Sequence, residues 1–197
     1  MNGSLLHSAG QAAGIDSVCI PQDAEGSRTA ASWYACYTKA RSEKKVDTQL
    51  RQRGFESYLP LVPQIMQWSD RRKRTEFPLF PGYVFTRAPS TLLGQILGTP
   101  GVAAIVRFGS RPVLIPDDEI VNIARFARAL ATTDLRPPRV RLYEGQRVRI
   151  ISGPFAGVHG VVREVRGRTR VLVGLATIGL GFEIDVPVDA VKPHSRV

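Results

Sequence analysis

The nine residues FPLFPGYVF, positions 77 to 85, constrain the fold more than any other stretch of this chain. Pro81-Gly82 predicts a turn, and Tyr83, Val84 and Phe85 after it read as a β-strand. Successive strand side chains point to opposite faces, so this strand is apolar on both sides of its sheet. A half-buried antiparallel strand would alternate apolar with polar residues instead. The sheet must therefore carry something on each face, and the identity of the second cover becomes the functional question.

Neighbouring segments supply the rest of the sheet. SWYACYT (32–38) reads as a first strand with Trp33, Ala35 and Tyr37 on one side. Ser42 is placed to cap a helix running to about Arg53, with Val46 and Leu50 one turn apart on its buried stripe and Gly54 as its stop. FESYLPLV (55–62) is a second strand, a polar hairpin around SDRRKRTE follows, and the FPLFPGYVF run is the third strand. Ser90 starts a short helix through Leu97, and GVAAIVRF (101–108) is a fourth strand. Pro116 and Asp117 open a last helix with Ile120, Ile123, Ala124, Ala127 and Leu130 on one face.

This order, βαβ, hairpin, βαβ, is the split ferredoxin-like plan, an α+β fold with both helices on one face of an antiparallel sheet. The other face is then open. Strands one and three pair centrally in that plan, which makes Tyr37, Tyr83 and Phe85 neighbours. Left uncovered they form an aromatic patch of the kind that marks a binding site; alternatively, the last helix folds across them.

Residues 1–31 are small, polar and without periodicity, and read as a flexible leader before a first domain at 32–130. ATTDLRPPRVRL (131–142) is a polar linker stiffened by its Pro-Pro pair. Residues 143–193 alternate β-branched residues with glycines, and turn signals recur at Ser152-Gly153-Pro154, Arg166-Gly167 and Gly179. That spacing predicts a small antiparallel β-barrel.

Both folded portions are basic. Residues 32–130 hold fifteen basic and eight acidic side chains, and residues 131–197 hold eleven and six. Such a surface favours a polyanionic partner such as nucleic acid. No apolar run approaches a membrane span, and the N-terminus lacks a secretory signal pattern, so the cytoplasm is the expected address. Cys19 and Cys36 make no disulfide framework. Three scattered histidines (His7, His159, His194), no phosphate-binding glycine loop and no ligand cluster argue against an enzyme, a metal or a cofactor. Asp117-Asp118-Glu119 is accounted for by the helix dipole at its start.

The C-terminal unit has Glu144-Gly145 leading into Val148-Arg149-Ile150, then Ser152-Gly153-Pro154-Phe155-Ala156-Gly157 and Gly160-Val161-Val162. It resembles a KOW motif, with Gly160 letting a bent strand pack closely in a small barrel. The first half, through Trp33-Tyr34, the Phe80-Pro81-Gly82-Tyr83-Val84-Phe85 run and Gly101-Val102, resembles the N-terminal (NGN) domain of NusG. In this order the two cover residues 33–193, and the chain is similar to NusG-family transcription elongation factors. Trp33-Tyr34, Tyr37, Lys39, Pro78-Leu79-Phe80-Pro81 and Val106-Arg107-Phe108-Gly109 with Pro112 and Ile115-Pro116 resemble the specialised paralogues of the RfaH and UpxY kind.

The resemblance implies a monomeric antitermination factor that grips the clamp helices of RNA polymerase and supports processive elongation of specific operons. Tyr37, Phe80, Pro81, Tyr83 and Phe85 would form the socket. It also implies contact with the non-template DNA strand through Lys39, Gln49, Gln52 and Arg53, and the run Arg71, Arg72, Lys73 and Arg74 could track DNA by charge. The paralogue's polymerase gate-loop element has no counterpart, since Leu92-Leu93-Gly94 stand there. In the barrel, Val158, Thr177, Ile178 and Leu180 occupy the partner-binding positions, which implies ribosomal protein S10 as a candidate partner. Those positions lack the family's rings and cation, which argues against recruitment of the termination factor Rho. GLATIGLGFEIDV is too rich in glycine and β-branched residues to refold as a helical hairpin. The competing reading is an RNA- or ribosome-binding KOW protein without polymerase contact, because Gly82-Tyr83-Val84-Phe85 faintly resembles a base-stacking run of RNA-binding sheets.

Overall fold

The computed structural model describes residues 30–67, 72–133, 135, 139–141, 145–165 and 168–194. The predicted leader and Arg71 fall outside the described residues, apart from the last positions of the leader. The first sheet is built from β1 (Ser32–Thr38), β2 (Glu56–Tyr58), β5 (Tyr83–Ala88) and β6 (Val102–Ile105), in the order β2-β5-β1-β6 and antiparallel throughout. Between β2 and β5 the chain makes a separate hairpin of β3 (Leu61–Gln67) and β4 (Arg72–Pro78), in register from Leu61↔Pro78 to Gln67↔Arg72. Phe77 and Pro78 therefore end this hairpin, and the third strand of the sheet starts at Tyr83 rather than at Phe77.

The turn that joins the two is set by its sequence. The Tyr83 N–H donates to the Phe80 carbonyl at 3.1 Å, with Pro81 and Gly82 in the centre and Gly82 at φ +85. That is the demand of a type II turn, proline first and a positive-φ residue second. The Thr38 N–H donates to the Gly82 carbonyl at 2.8 Å, and the Gly82 N–H donates to the Glu43 carboxylate at 2.7 Å. Glu43, buried in the first turn of α1 (Glu43–Gln52), thus ties the turn to the helix. Ser42 precedes that helix without capping it through its side chain.

Two crossovers, through α1 and through α2 (Leu93–Leu97), put both helices on one face. There Tyr34, Cys36, Val84 and Ile105 pack against Val46, Leu50, Leu93 and Ile96. Burial of each such aliphatic side chain contributes roughly 1.5–3 kcal/mol. The predicted fourth strand is shorter than 101–108: β6 ends at Ile105, and β7 (Arg107–Phe108) turns back onto β8 (Arg111–Pro112) as a small hairpin. Pro116 is extended and α3 (Asp117–Ala131) follows it.

The second sheet has six antiparallel strands in the order β14-β10-β11-β12-β13-β9. They are β9 (Arg139–Arg141), β10 (Arg147–Ile150), β11 (His159–Val165), β12 (Arg168–Leu175), β13 (Leu180–Asp185) and β14 (Val191–Pro193). Residues 139–141, read from sequence as linker, pair with β13 and belong to this sheet. Gly160 is required by space: a Cβ there would lie 2.4 Å from the Val171 methyl and 2.5 Å from the Leu172 carbonyl oxygen.

The expectation of an open face does not hold. Trp33, Ala35 and Phe85 on the first sheet share one continuous core with Ile120, Ile123, Phe126, Ala127 and Leu130 of α3 and with Val148, Ile150, Phe155, Val171, Val173 and Phe182 of the second sheet. Helix α3 lies between β3 and β12. No helix among the described residues is long and apolar enough to cross a membrane.

Candidate functional site

Strand alternation sends Trp33, Ala35 and Tyr37 of β1 to the face opposite α1 and α2, and the register sets Ala35 beside Phe85 and Tyr37 beside Tyr83. The two tyrosine rings lie with centroids 4.4 Å apart, tilted at 45° to one another, and the Tyr83 hydroxyl donates to the Tyr37 hydroxyl at 2.7 Å. Burial, and then the hydrogen bond to Tyr37, push the Tyr83 hydroxyl well above its ordinary value, so it stays protonated. Tyr37 remains 46% exposed, Tyr83 is half-buried, and Pro81 is exposed at the turn.

Phe80 and Phe85 differ from expectation. Both are buried by the protein itself. Phe80 meets Phe85 edge-on at 6.0 Å and, on its other side, Phe182 of β13 at 5.2 Å. Phe126 of α3 touches both Phe155 and Phe182, each at 5.6 Å. The aromatic face thus has a covered interior, sealed by α3 and the second sheet, and an open border at Tyr37, Pro81 and Tyr83.

Polar ties flank this apolar contact. Asn122 donates through Nδ2 to the His159 carbonyl and accepts the His159 N–H at Oδ1, both at 2.7 Å. Glu119 accepts the Thr177 hydroxyl at 2.8 Å and its N–H at 3.3 Å. Glu119, Asn122 and Phe126 fall on a second stripe of α3, next to the stripe read from sequence, and were missed as a functional set. Their spacing of three and four residues was the available signal.

The residues expected to bind a partner of the second sheet lie in this same contact. Val158 is fully buried in the shared core rather than at the surface, a correction to its expected role. Thr177 is engaged by Glu119, and Ile178 and Leu180 are half-buried against the core.

Among the expected nucleic-acid contacts, Lys39, Gln52 and Arg53 are exposed and Gln49 is half-buried. Gln49, Gln52 and Arg53 share one face of the α1 end by their spacing, and Arg53 donates to the Thr99 hydroxyl at 2.6 Å. The Oε1 of Gln49 is buried and has no hydrogen-bond partner among the described residues. Arg72, Lys73 and Arg74 lie in β4, paired with Gln67, Met66 and Ile65, and their side chains are outside what is described. No group of residues suited to holding a metal occurs among the described residues. Burial pushes the Cys36 thiol up to about 12, which removes it as a nucleophile at neutral pH.

A family model described as transcription termination factor nusG matches residues 31–124. The transcription termination/antitermination protein NusG of Thermus thermophilus is 30% identical over 177 residues, covering 80% of this chain and 94% of that protein. The protein of the same name from Deinococcus radiodurans is 31% identical over 185 residues, covering 80% and 95%. Among solved structures, Thermotoga maritima NusG, described for its domain interaction, is similar at 26% identity and a TM-score of 0.44, covering 84% of this chain and 98% of that one. With this identity sustained over nearly the whole length of its relatives, the chain belongs to the NusG family.

Proposed function

We propose that this protein is a transcription elongation and antitermination factor that docks on the clamp helices of RNA polymerase through the aromatic face of its first sheet. The observation that carries this reading is the origin of the cover: Phe80 packs on Phe182, a residue of the second sheet, whereas α1 and α2 cover the opposite face. A face completed by a separate sheet can exchange that cover for a helical partner. Tyr37, Pro81 and Tyr83 at the open border offer the first contact, and Phe80 and Phe85 become available once the second sheet withdraws. Rigid rings at the centre of an interface contribute much of its affinity at small entropic cost. Withdrawal would also free Thr177, Ile178 and Leu180 for a partner such as ribosomal protein S10. Lys39, Gln52 and Arg53 supply donors for the non-template DNA strand. The likeness to the specialised paralogues supports action on specific operons.

Titration of the full chain with isolated clamp helices tests the reading. Wild type binds, and Tyr83→Ala weakens binding by about 30-fold, the loss of one hot-spot residue worth roughly 2 kcal/mol. Full retention of binding by Tyr83→Ala overturns the assignment. Absence of clamp binding together with a Tyr83-dependent affinity for single-stranded RNA would install the RNA-binding reading in its place.

A further inference from the structure

The β7–β8 hairpin plays no part in either contact above, yet it presents the most exposed large apolar side chain among the described residues. Phe108 is 70% exposed. The register places it directly across from Arg111, and Arg107 across from Pro112, so ring and guanidinium stand side by side on one face of the ladder. Arg107 and Arg111 are both exposed, and neither forms an ion pair among the described residues. From Phe77 to Pro116 the sequence contains no acidic residue at all. The hairpin is also held firmly at its base. The Val106 N–H donates to the Ala35 carbonyl at 2.9 Å, the Val113 N–H to the Val106 carbonyl at 3.0 Å, and the Ile115 N–H to the Trp33 carbonyl at 2.9 Å.

We propose that this hairpin is a binding site for single-stranded nucleic acid, in which an unpaired base stacks on Phe108 while Arg111 beside it neutralises the adjacent phosphate. An exposed ring alone is unremarkable on a protein surface. The ring stands beside the Arg111 cation in a stretch without carboxylates, while Arg107 lies on the opposite face and donates to the Ser110 carbonyl at 3.4 Å. A ring beside a cation is the combination that single strands recognise, a π-face for any base and positive charge for the backbone. The site is separate from Lys39 and the end of α1, and it is exposed while the aromatic face is covered, so it operates without withdrawal of the second sheet.

The test is fluorescence anisotropy with labelled single-stranded DNA and RNA oligonucleotides of equal length and a blunt DNA duplex, titrated with the full chain. Phe108→Ala should weaken single-strand binding about tenfold, within the range of one lost base stack, and leave duplex binding unchanged. Arg111→Ala should lower the slope of log affinity against log salt by about 0.7, the value of one phosphate contact on a single strand. In Phe108→Trp the new indole should be quenched on binding the oligonucleotide. The DNA and RNA arms identify which strand the site prefers. Equal single-strand affinity of wild type and Phe108→Ala, or an unquenched indole in a bound complex, overturns the proposal. So does a wild type that binds neither oligonucleotide. Circular dichroism should be unchanged for all variants, since the hairpin tip is exposed.

Discussion

Replacing Asn122 by alanine is the most direct way to separate the second sheet from the aromatic face. The buried amide of Asn122 closes a two-way hydrogen bond with the His159 backbone, each arm 2.7 Å long. Alanine leaves the His159 N–H and carbonyl facing a methyl group. At about 1 kcal/mol net per hydrogen bond the closed arrangement loses ~2 kcal/mol. In the open arrangement water reaches both groups, so the loss falls on the closed form alone. The ratio of open to closed molecules should therefore rise ~30-fold, at 1.4 kcal/mol for each factor of ten. Two measurements follow it. Hydrogen exchange at the His159 amide should accelerate by that factor, and affinity for isolated clamp helices should rise towards the same factor, because binding is diminished by the fraction of molecules that are closed. Unchanged exchange at His159 would refute the latch. Accelerated exchange with no gain in clamp-helix affinity would refute the covered face as the polymerase site.

Two further perturbations probe the fold and its pH response. Gly160→Ala forces a methyl to within 2.4 Å of the Val171 side chain and 2.5 Å of the Leu172 carbonyl, and should cost about 1–3 kcal/mol in a denaturant titration of the second sheet; an unchanged midpoint would disprove the crowding. His159 is held below the ordinary histidine range by burial first, then by His194 stacked on it at 4.4 Å, Arg149 and Arg125, with Asp118 opposing. Its folded form thus favours the neutral ring. Above the unfolded pKa of about 6.5 both states are neutral and stability is intact; as pH falls through that value the unfolded chain takes up the proton first and stability declines. Melting temperatures between pH 7.5 and 5.5 should fall more for wild type than for His159→Gln, and identical slopes would contradict the assignment.

The parts of the fold legible in the sequence are those set by local periodicity. The alternation in β1 and the Val46–Leu50 stripe of α1 place the sheet and its first cover, and the Pro81-Gly82 turn follows from the backbone angles those two residues accept. What escaped was settled between segments distant in the chain. Glu119 and Asn122 look like ordinary solvated helix residues, because their partners Thr177 and His159 lie 58 and 37 positions away. Phe126 stands off the main apolar stripe of α3 for the same reason: a helix clasped between two sheets needs two buried faces, and a search for one stripe finds only the first. Arg139–Arg141 follows a Pro-Pro pair and has the composition of a linker, yet β13 offers it an unpaired strand edge, and backbone pairing takes little account of composition.

The doubly apolar strand Tyr83–Phe85 shows where legibility stops. Its pattern states that both faces of the sheet leave water, and both do so among the described residues, apart from the border at Tyr37 and Tyr83. The pattern does not name the cover, because apolar burial is non-directional and an aromatic face gains from any apolar surface of suitable shape. A helical partner and the chain's own Phe182 meet the same requirement. The distinction lies in the polar ties, and here they are specific: an amide matched to one backbone position and a carboxylate matched to one hydroxyl. Sequence pattern therefore identifies a face that must be covered, whereas Asn122 and Glu119 determine that, in the closed molecule, the second sheet covers it.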